Sequence, residues 1–287
     1  MPELRKVGSV ALVAKAGNPS AEAVCRDVEQ WLRERNVPVL GCECAGDSFR
    51  SGNLPETDLI LVFGGDGTMV SVARKSLGLK IPIAGVNFGR VGFLAELSEE
   101  DWEDNLASAL KDGVLIEPRM SLGYSLIRDG SVVHSGEVIN DVVVTRGKVA
   151  RLVNLFLGVN GAPFISLRSD GLILSTPTGS SGYAGSAGGP LLMPSLNVYV
   201  VAAICPYLSS FPPLALSPET VFSVVVGEAA PDLYLTLDGQ EAHPLAEGDR
   251  LEVKGNPERF FMAAFGLKDY FERLRLAGFV QETKRLP

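Results

Sequence analysis

Three short apolar runs, Ser9 to Ala14, Leu59 to Phe63 and Ile81 to Val86, constrain this chain more than any other feature of its sequence. A strand of continuous apolar residues has no face to show to water, so it must be covered on both sides. Helical signals separate the runs. Asn18-Pro19-Ser20 supplies a cap and a proline, and Val24, Val28, Trp31 and Leu32 follow at i, i+4, i+7 and i+8. A strand is expected at Val37 to Leu40, and a helix from Met69 to Ser76 through Val72 and Ala73. Short β-α-β-α-β spacing of this kind predicts an α/β domain with a parallel, doubly wound sheet.

The pattern changes near Pro118. From there to about Phe265 helical periodicity nearly vanishes, and turn signals such as Arg128-Asp129-Gly130, Asn160-Gly161 and Asp238-Gly239 punctuate strand-like segments. Strands are expected at Ser121 to Ile127, Glu137 to Thr145, Val153 to Val159, Gly171 to Ser175, Asn197 to Ile204, Thr220 to Val226, Tyr234 to Leu237 and Arg250 to Val253. The expected organisation is an α/β domain over 1–117, a β-rich, sandwich-like domain over 118–265 and a tail over 266–287. Within that tail, Tyr270, Phe271 and Leu274 restore helical character and predict packing back onto the first domain. A chain of 287 residues that is 46% apolar can supply both cores.

Candidate chemistry concentrates at two places. Leu59 to Phe63 runs directly into Gly64-Gly65-Asp66-Gly67-Thr68. Glycines permit a sharp strand-to-helix turn and let a phosphate approach bare backbone N–H groups. A carboxylate there would repel the phosphate unless it binds a metal or takes a proton from an attacking hydroxyl, which points to phosphoryl transfer. An aspartate flanked by glycines is also a poor place for a simple helix cap. In parallel sheets ligands sit beyond the carboxyl ends of the strands, and both Gly64 to Thr68 and Asn87 to Gly92 fall there. The second place is Ser169 to Pro190, which crowds hydroxyls, glycines, Asp170 and Tyr183 between a strand and a proline. Such a loop suits a nucleoside better than a metal, and it lacks the lysine of a P-loop. Asn140-Asp141 interrupts the apolar run Val138 to Val144, and two polar groups there need partners.

Charge narrows the ligand. The net charge is −8, so a broad nucleic-acid surface is not expected, and any anion must be met by local arginines and backbone amides. Arg90, Arg151 and Arg168 are candidates for that. Cys25, Cys42, Cys44 and Cys205 lack zinc spacing and read as reduced thiols. His134 and His243 are the only histidines, and their sequence separation argues against a histidine metal site. The longest apolar run, Val198 to Cys205, is too short to span a bilayer, and no signal peptide is seen. A cytosolic protein without membrane or nucleic-acid partners is expected.

Together, Gly64 to Thr68, Asn87-Phe88-Gly89-Arg90-Val91-Gly92-Phe93-Leu94, Asn140-Asp141 and Ser169 to Pro190 resemble NAD kinases of the bacterial type, in the same order and at similar spacing over about residues 8 to 280. The resemblance implies ATP-dependent phosphorylation, with Mg2+, of the adenosine-ribose 2′-hydroxyl of NAD, and it implies a homodimer or homotetramer. It implies that Asp66 is the catalytic base and that Gly67 cradles the pyrophosphate. It assigns Asn140 and Asp141 to ribose hydroxyls and adenine, although many members have Glu where Asp141 stands. Asp170 and the stretch Ser181, Gly182, Tyr183, Ala184, Gly185 and Ser186 would line the dinucleotide pocket, with Gly182 replacing a customary Ala. Gln240, Arg151 and Arg168 would line the same pocket, and Arg168 resembles the Arg of members preferring NAD over NADH. The alternatives are a lipid kinase sharing the Gly-Gly-Asp-Gly turn, which the polar Thr178 to Ser186 loop opposes, and an idle NAD(P)-binding regulator, for which Asp66 would be dispensable. Polyphosphate remains open as donor in place of ATP.

Overall fold

Side chains on both faces of β2 (Val10–Lys15), from Val10 to Ala14, and of β4 (Leu59–Phe63) are buried, because helices cover both faces of their sheet. The computed structural model describes residues 3–45, 57–88, 92–147, 151–208, 210–227, 232–266 and 270–279. The chain divides into two compact units, Met1–Pro118 with Phe260–Pro287, and Arg119–Arg259.

The first unit begins with β1 (Glu3–Arg5) and β2, followed by α1 (Pro19–Glu34). Asn18 caps α1, its side-chain oxygen accepting the N–H of Ala21 at 3.2 Å. The stripe Val24, Val28, Trp31 and Leu32 faces the sheet, and burial of each such side chain is worth roughly 1.5–3 kcal/mol. A charge in place of Val28, which is fully buried, would break that packing. Next come β3 (Val39–Ala45), β4, α2 (Asp66–Lys75), β5 (Pro82–Asn87), β6 (Leu97–Ser98), α3 (Trp102–Asp112) and β7 (Val114–Arg119). Strands β3, β2, β4 and β5 run parallel in that order. Helices α1 and α3 share one core with Leu12, Leu61 and Phe63. The opposite face belongs to α2, where the Met69 sulfur lies so close to Gly85 that any Cβ there would collide with it.

The helices of this unit differ from the sequence expectation in two details. Helix α2 starts at Asp66 rather than Met69, because the turn at Gly64-Gly65 is tight enough for the helix to begin at once. Helix α3 was not expected, since only Leu106 and Ala109 are buried along it and no strong apolar stripe marks it.

The second unit runs β8 (Leu122–Arg128), β9 (Ser131–Val138), β10 (Asp141–Arg146), β11 (Val153–Val159), β12 (Ala162–Ser169), β13 (Gly171–Ser175), α4 (Tyr183–Ser186), β14 (Tyr199–Ile204), β15 (Leu214–Leu216), β16 (Phe222–Val226), β17 (Leu233–Leu237), β18 (Glu241–Pro244) and β19 (Arg250–Gly255). Among the described residues these form two antiparallel six-stranded sheets, ordered β15-β14-β13-β10-β17-β18 and β12-β11-β16-β19-β8-β9. One core joins their inner faces, with Val142, Leu172, Val201 and Leu235 from the first sheet and Tyr124, Leu155, Phe222 and Leu251 from the second. The expected single strand Glu137 to Thr145 is two strands in different sheets, and the chain crosses between them at Ile139-Asn140.

The chain re-enters the first sheet at β20 (Phe260–Ala264), parallel to β5, and ends its described course in α5 (Tyr270–Leu276) and the turn after it. Glu96 fixes this return. Its carboxylate accepts the N–H of Phe265 at 3.0 Å and pairs with Arg273 at 2.6 Å. No helix of the described residues is long and apolar enough to cross a membrane.

Candidate functional site

In the first unit, β4 delivers the chain to Gly64, whose N–H bonds to the carbonyl of Val86 on β5 at 3.0 Å. Thr68 packs its side chain onto Gly64, where a Cβ would lie only 2.7 Å from the Thr68 hydroxyl. Gly65 is the N-cap residue of α2, and no side chain caps that helix. The carboxylate of Asp66 is therefore not used as a cap. It accepts backbone N–H groups from Phe93 at 2.9 Å and Leu94 at 3.2 Å. A carboxylate has about four lone-pair directions, and among the described residues no donor other than these two is recorded for it. Gly92 is obligatory beside it, because a Cβ on Gly92 would run into the carboxylate. Asp66 is half-buried and Gly67 exposed, as a group that meets substrate requires. Gly89 to Val91, including Arg90, lie outside the described residues.

In the second unit, Asn140 and Asp141 stand at the crossing between the sheets. The carboxylate of Asp238, at the end of β17, accepts the N–H groups of Ile139 at 3.1 Å, Asn140 at 2.6 Å and Asp141 at 3.1 Å. The same crossing is held from β13. The Thr176 hydroxyl donates to the carbonyl of Ile139 at 2.6 Å, and the Thr176 N–H donates to that of Asn140 at 2.8 Å. Gly179 sits so close to the Asn140 carbonyl that a Cβ there would collide with it. Two polar atoms in these segments are left buried without a hydrogen-bond partner, Oδ1 of Asn140 and Oγ1 of Thr178. An unpaired buried oxygen costs about 1–3 kcal/mol, which a ligand donor can offset. Asp141 is 8% exposed. Burial, aided by the charge of Asp238, pushes its carboxyl up to about 7.

The stretch after Thr176 is more ordered than a loop. A 3-10 turn at Gly179–Ser181 leads through Gly182 into α4, whose Ala184 packs on Val143 and Ile173 of the outer sheet face. Tyr183 stays exposed at the start of α4, Ser181 and Gly185 are half-buried, and Gly182 and Ser186 are exposed. Toward the other end of β10 and β13, Arg146 grips Asp170 with two nitrogens at 2.7 and 2.9 Å. This guanidinium holds the Asp170 carboxyl below its usual range. Tyr183 lies near enough to Arg146 for the two side chains to interact. Arg168 is exposed with its guanidinium 5.6 Å from the Tyr207 ring, Arg151 is exposed ahead of β11, and Gln240 is exposed in the β17–β18 turn.

The structure thus groups Asn140 and Asp141 with Thr176 to Ser180, and Asp170 with Tyr183. Asp66 and Gly67 belong to the other unit. Three residues carry this arrangement without having been singled out by sequence. Asp238 read only as half of a turn signal, Gly92 as part of a rim loop, and Arg146 fell just past the end of an expected strand. The sequence separation of the two histidines does not carry over into the fold: His134 and His243 lie side by side, their ring centroids 3.8 Å apart. Their strands are distant in sequence but close in space.

The fold also occurs in proteins of known structure. Yeast NADH kinase complexed with NADH has a similar fold at a TM-score of 0.81 and 22% identity, covering 99% of this chain and 91% of that chain. An NAD kinase from Archaeoglobus fulgidus in complex with ATP superposes with a TM-score of 0.75 at 26% identity, covering 94% of this chain and 100% of that one. Family models reach further. The ATP-NAD kinase N-terminal domain matches residues 53–114, and the ATP-NAD kinase C-terminal domain matches residues 139–263. The NAD kinase of Nitratidesulfovibrio vulgaris strain Miyazaki F is 42% identical over 275 residues, which span 96% of this chain and 97% of that protein. That of Oleidesulfovibrio alaskensis is 39% identical over 280 residues, or 98% of this chain and 96% of that protein. The chain belongs to the ATP-NAD kinase family. Membership in that family leaves the lipid-kinase and idle-regulator alternatives without support.

Proposed function

We propose that this protein phosphorylates the adenosine-ribose 2′-hydroxyl of NAD to give NADP, with ATP as donor and Asp66 as general base. The observation that carries the reading is the Asp66 carboxylate at the first turn of α2, oriented by the N–H groups of Phe93 and Leu94 and not spent on capping. A base so placed accepts the hydroxyl proton as the oxygen attacks phosphorus. The exposed backbone of Gly65 and Gly67 at the helix N-terminus receives phosphate oxygens.

The second unit holds the dinucleotide. Asn140 and Thr178 offer their unpaired oxygens to ribose or base donors, and Asp141 accepts from a sugar hydroxyl. Tyr183 lays its exposed ring against a base, and Ser181, Ala184 and Ser186 shape the wall beneath it. Asp170, Arg151, Arg168 and Gln240 complete the polar lining. Mg2+ supplies charge neutralisation on the triphosphate. As a hard cation it would be held through phosphate and water oxygens, which makes no demand on the Asp66 carboxylate that serves as base. The protein is further proposed to be a cytosolic homodimer or homotetramer.

The deciding assay is NADP formation by the purified full-length chain with Mg2+, supplying NAD or NADH against ATP or polyphosphate. Product in any of the four mixtures supports the kinase, and the four rates assign donor and acceptor. Intact NAD binding with no product in all four would leave an idle binding protein instead.

A further inference from the structure

The two histidines of the chain meet at one open side of the sandwich. His134 lies on β9 and His243 on β18, and these are terminal strands of the two different sheets. His134 pairs across the ladder with Leu126, His243 with Leu235 and Glu241 with Leu237. Those leucines belong to the shared core, so all three polar side chains lie on the inner faces of their strands. Candidate ligand atoms of His134, Glu241 and His243 lie within 4.8 Å of one another.

Each group is prepared differently. The Tyr124 hydroxyl lies 2.9 Å from Nδ1 of His134, and the two rings stack with planes 13° apart. This contact fixes the ring and leaves Nε2 as its other nitrogen. Nε2 of His243 is buried with no hydrogen-bond partner. The nearest carboxylate oxygen, on Glu241, is 3.7 Å away and too far for a hydrogen bond. A buried imidazole nitrogen left in this state lacks a compensating interaction that a cation would provide.

We infer that His134, His243 and Glu241 form a binding site for a divalent transition metal of the Zn2+ class, separate from the Mg2+ that accompanies ATP. Two imidazole nitrogens and one carboxylate suit Zn2+ and disfavour Mg2+, which prefers an all-oxygen shell. Tetrahedral donors stand about 3.3 Å apart at ordinary zinc distances, so the three groups draw together slightly on binding. A fourth position stays open for water. The Tyr124 hydroxyl acts as the outer partner that orients His134. The metal links the edges of two sheets whose ligands are more than 100 residues apart in the chain, and its binding free energy adds to the stability of the second unit.

The test is titration of chelator-treated, full-length protein with ZnCl2 by calorimetry, and with Co2+ by visible absorption. The expected result is one equivalent of Zn2+ per chain, four-coordinate Co2+ bands without a thiolate charge-transfer band, and a melting temperature raised by Zn2+. His134→Gln or His243→Gln should weaken binding more than the roughly 10- to 100-fold that loss of an outer partner costs, and Tyr124→Phe should fall within that range. Absence of stoichiometric binding by the unmodified protein overturns the inference, as does a thiolate band, which would assign the metal to cysteine. Equal affinity in the histidine variants overturns it too. If those variants do not fold, the unmodified protein and Tyr124→Phe still decide.

Discussion

The Asp238 carboxylate accepts the backbone N–H of Asn140 at 2.6 Å, across 98 residues of sequence, and with it the N–H groups of Ile139 and Asp141. This one side chain replaces the ladder partners that the chain gives up when it leaves one sheet for the other. Asp238 itself adopts φ +51°, followed by Gly239 at +64°, so the β17–β18 turn that presents it is a tight left-handed pair.

Asp238→Ala removes a charged acceptor from three donors and adds strain at positive φ. We expect a loss of about 3 kcal/mol in urea unfolding, since hydrogen bonds to a charged group are worth roughly 1.5–3 kcal/mol each and do not sum. KM for NAD should rise more than kcat falls, because Asn140 and Asp141 lose their placement while Asp66 does not. Asp238→Asn tolerates the same backbone and should lie between the two.

The pH dependence of stability should carry the signature of Asp141. Its carboxyl keeps a proton up to about pH 7 in the folded chain, against 3.8 for an ordinary aspartate. Between those values the folded state binds more protons than the unfolded, so stability declines as pH rises. The cost of ionising the buried group is absent below the lower value and complete above the upper, on the order of 4 kcal/mol. Asp141→Asn, which cannot ionise, should therefore be more stable than the parent near pH 8 and nearly equal to it near pH 4, as thermal melts at the two pH values would reveal. A parent as stable as the variant at pH 8 would contradict the assignment.

These relationships show where sequence reading stops. The parallel sheet was legible because β4, and β2 and β5 up to their last residues Lys15 and Asn87, are apolar throughout, a pattern that burial on both faces explains. The sandwich was legible from alternation and turns. The split of Glu137 to Thr145 was not, because its cause is Asp238, which local pattern cannot connect to Asn140. The pairing of His134 with His243 depends on two edge strands of different sheets, and no spacing encodes that. The motif Gly64 to Thr68 announced the turn, but that Asp66 is held by Phe93 and Leu94 required the fold. Strand β20 carries the same apolar character whichever sheet it joins.

Arg146 and Asp170 offer a separate handle. Arg146→Lys keeps the charge but loses the two-pronged contact at 2.7 and 2.9 Å. Both side chains are about one quarter exposed, so water screens the pair. We expect a modest rise in KM for NAD, with kcat little changed. Raising salt should shrink the difference between the two proteins. An unaltered KM would remove Asp170 from the dinucleotide pocket.

The base assignment is tested by two substitutions acting on one carboxylate. Asp66→Asn keeps the shape and removes the basicity. Turnover should fall by two to four powers of ten, with NAD affinity by calorimetry held within about threefold. One of the two backbone contacts must also weaken, since an amide NH2 would face the N–H of Phe93 or Leu94, at about 1 kcal/mol of stability. Gly92→Ala leaves Asp66 chemically intact but forces its carboxylate aside, because the new methyl occupies its place. A displacement near 1 Å costs on the order of 100-fold in rate, so kcat should drop without loss of NAD binding. If Asp66→Asn turned over normally, the proton would be leaving by another route. If only Gly92→Ala lost activity, Asp66 would be serving to shape the turn rather than to take the proton.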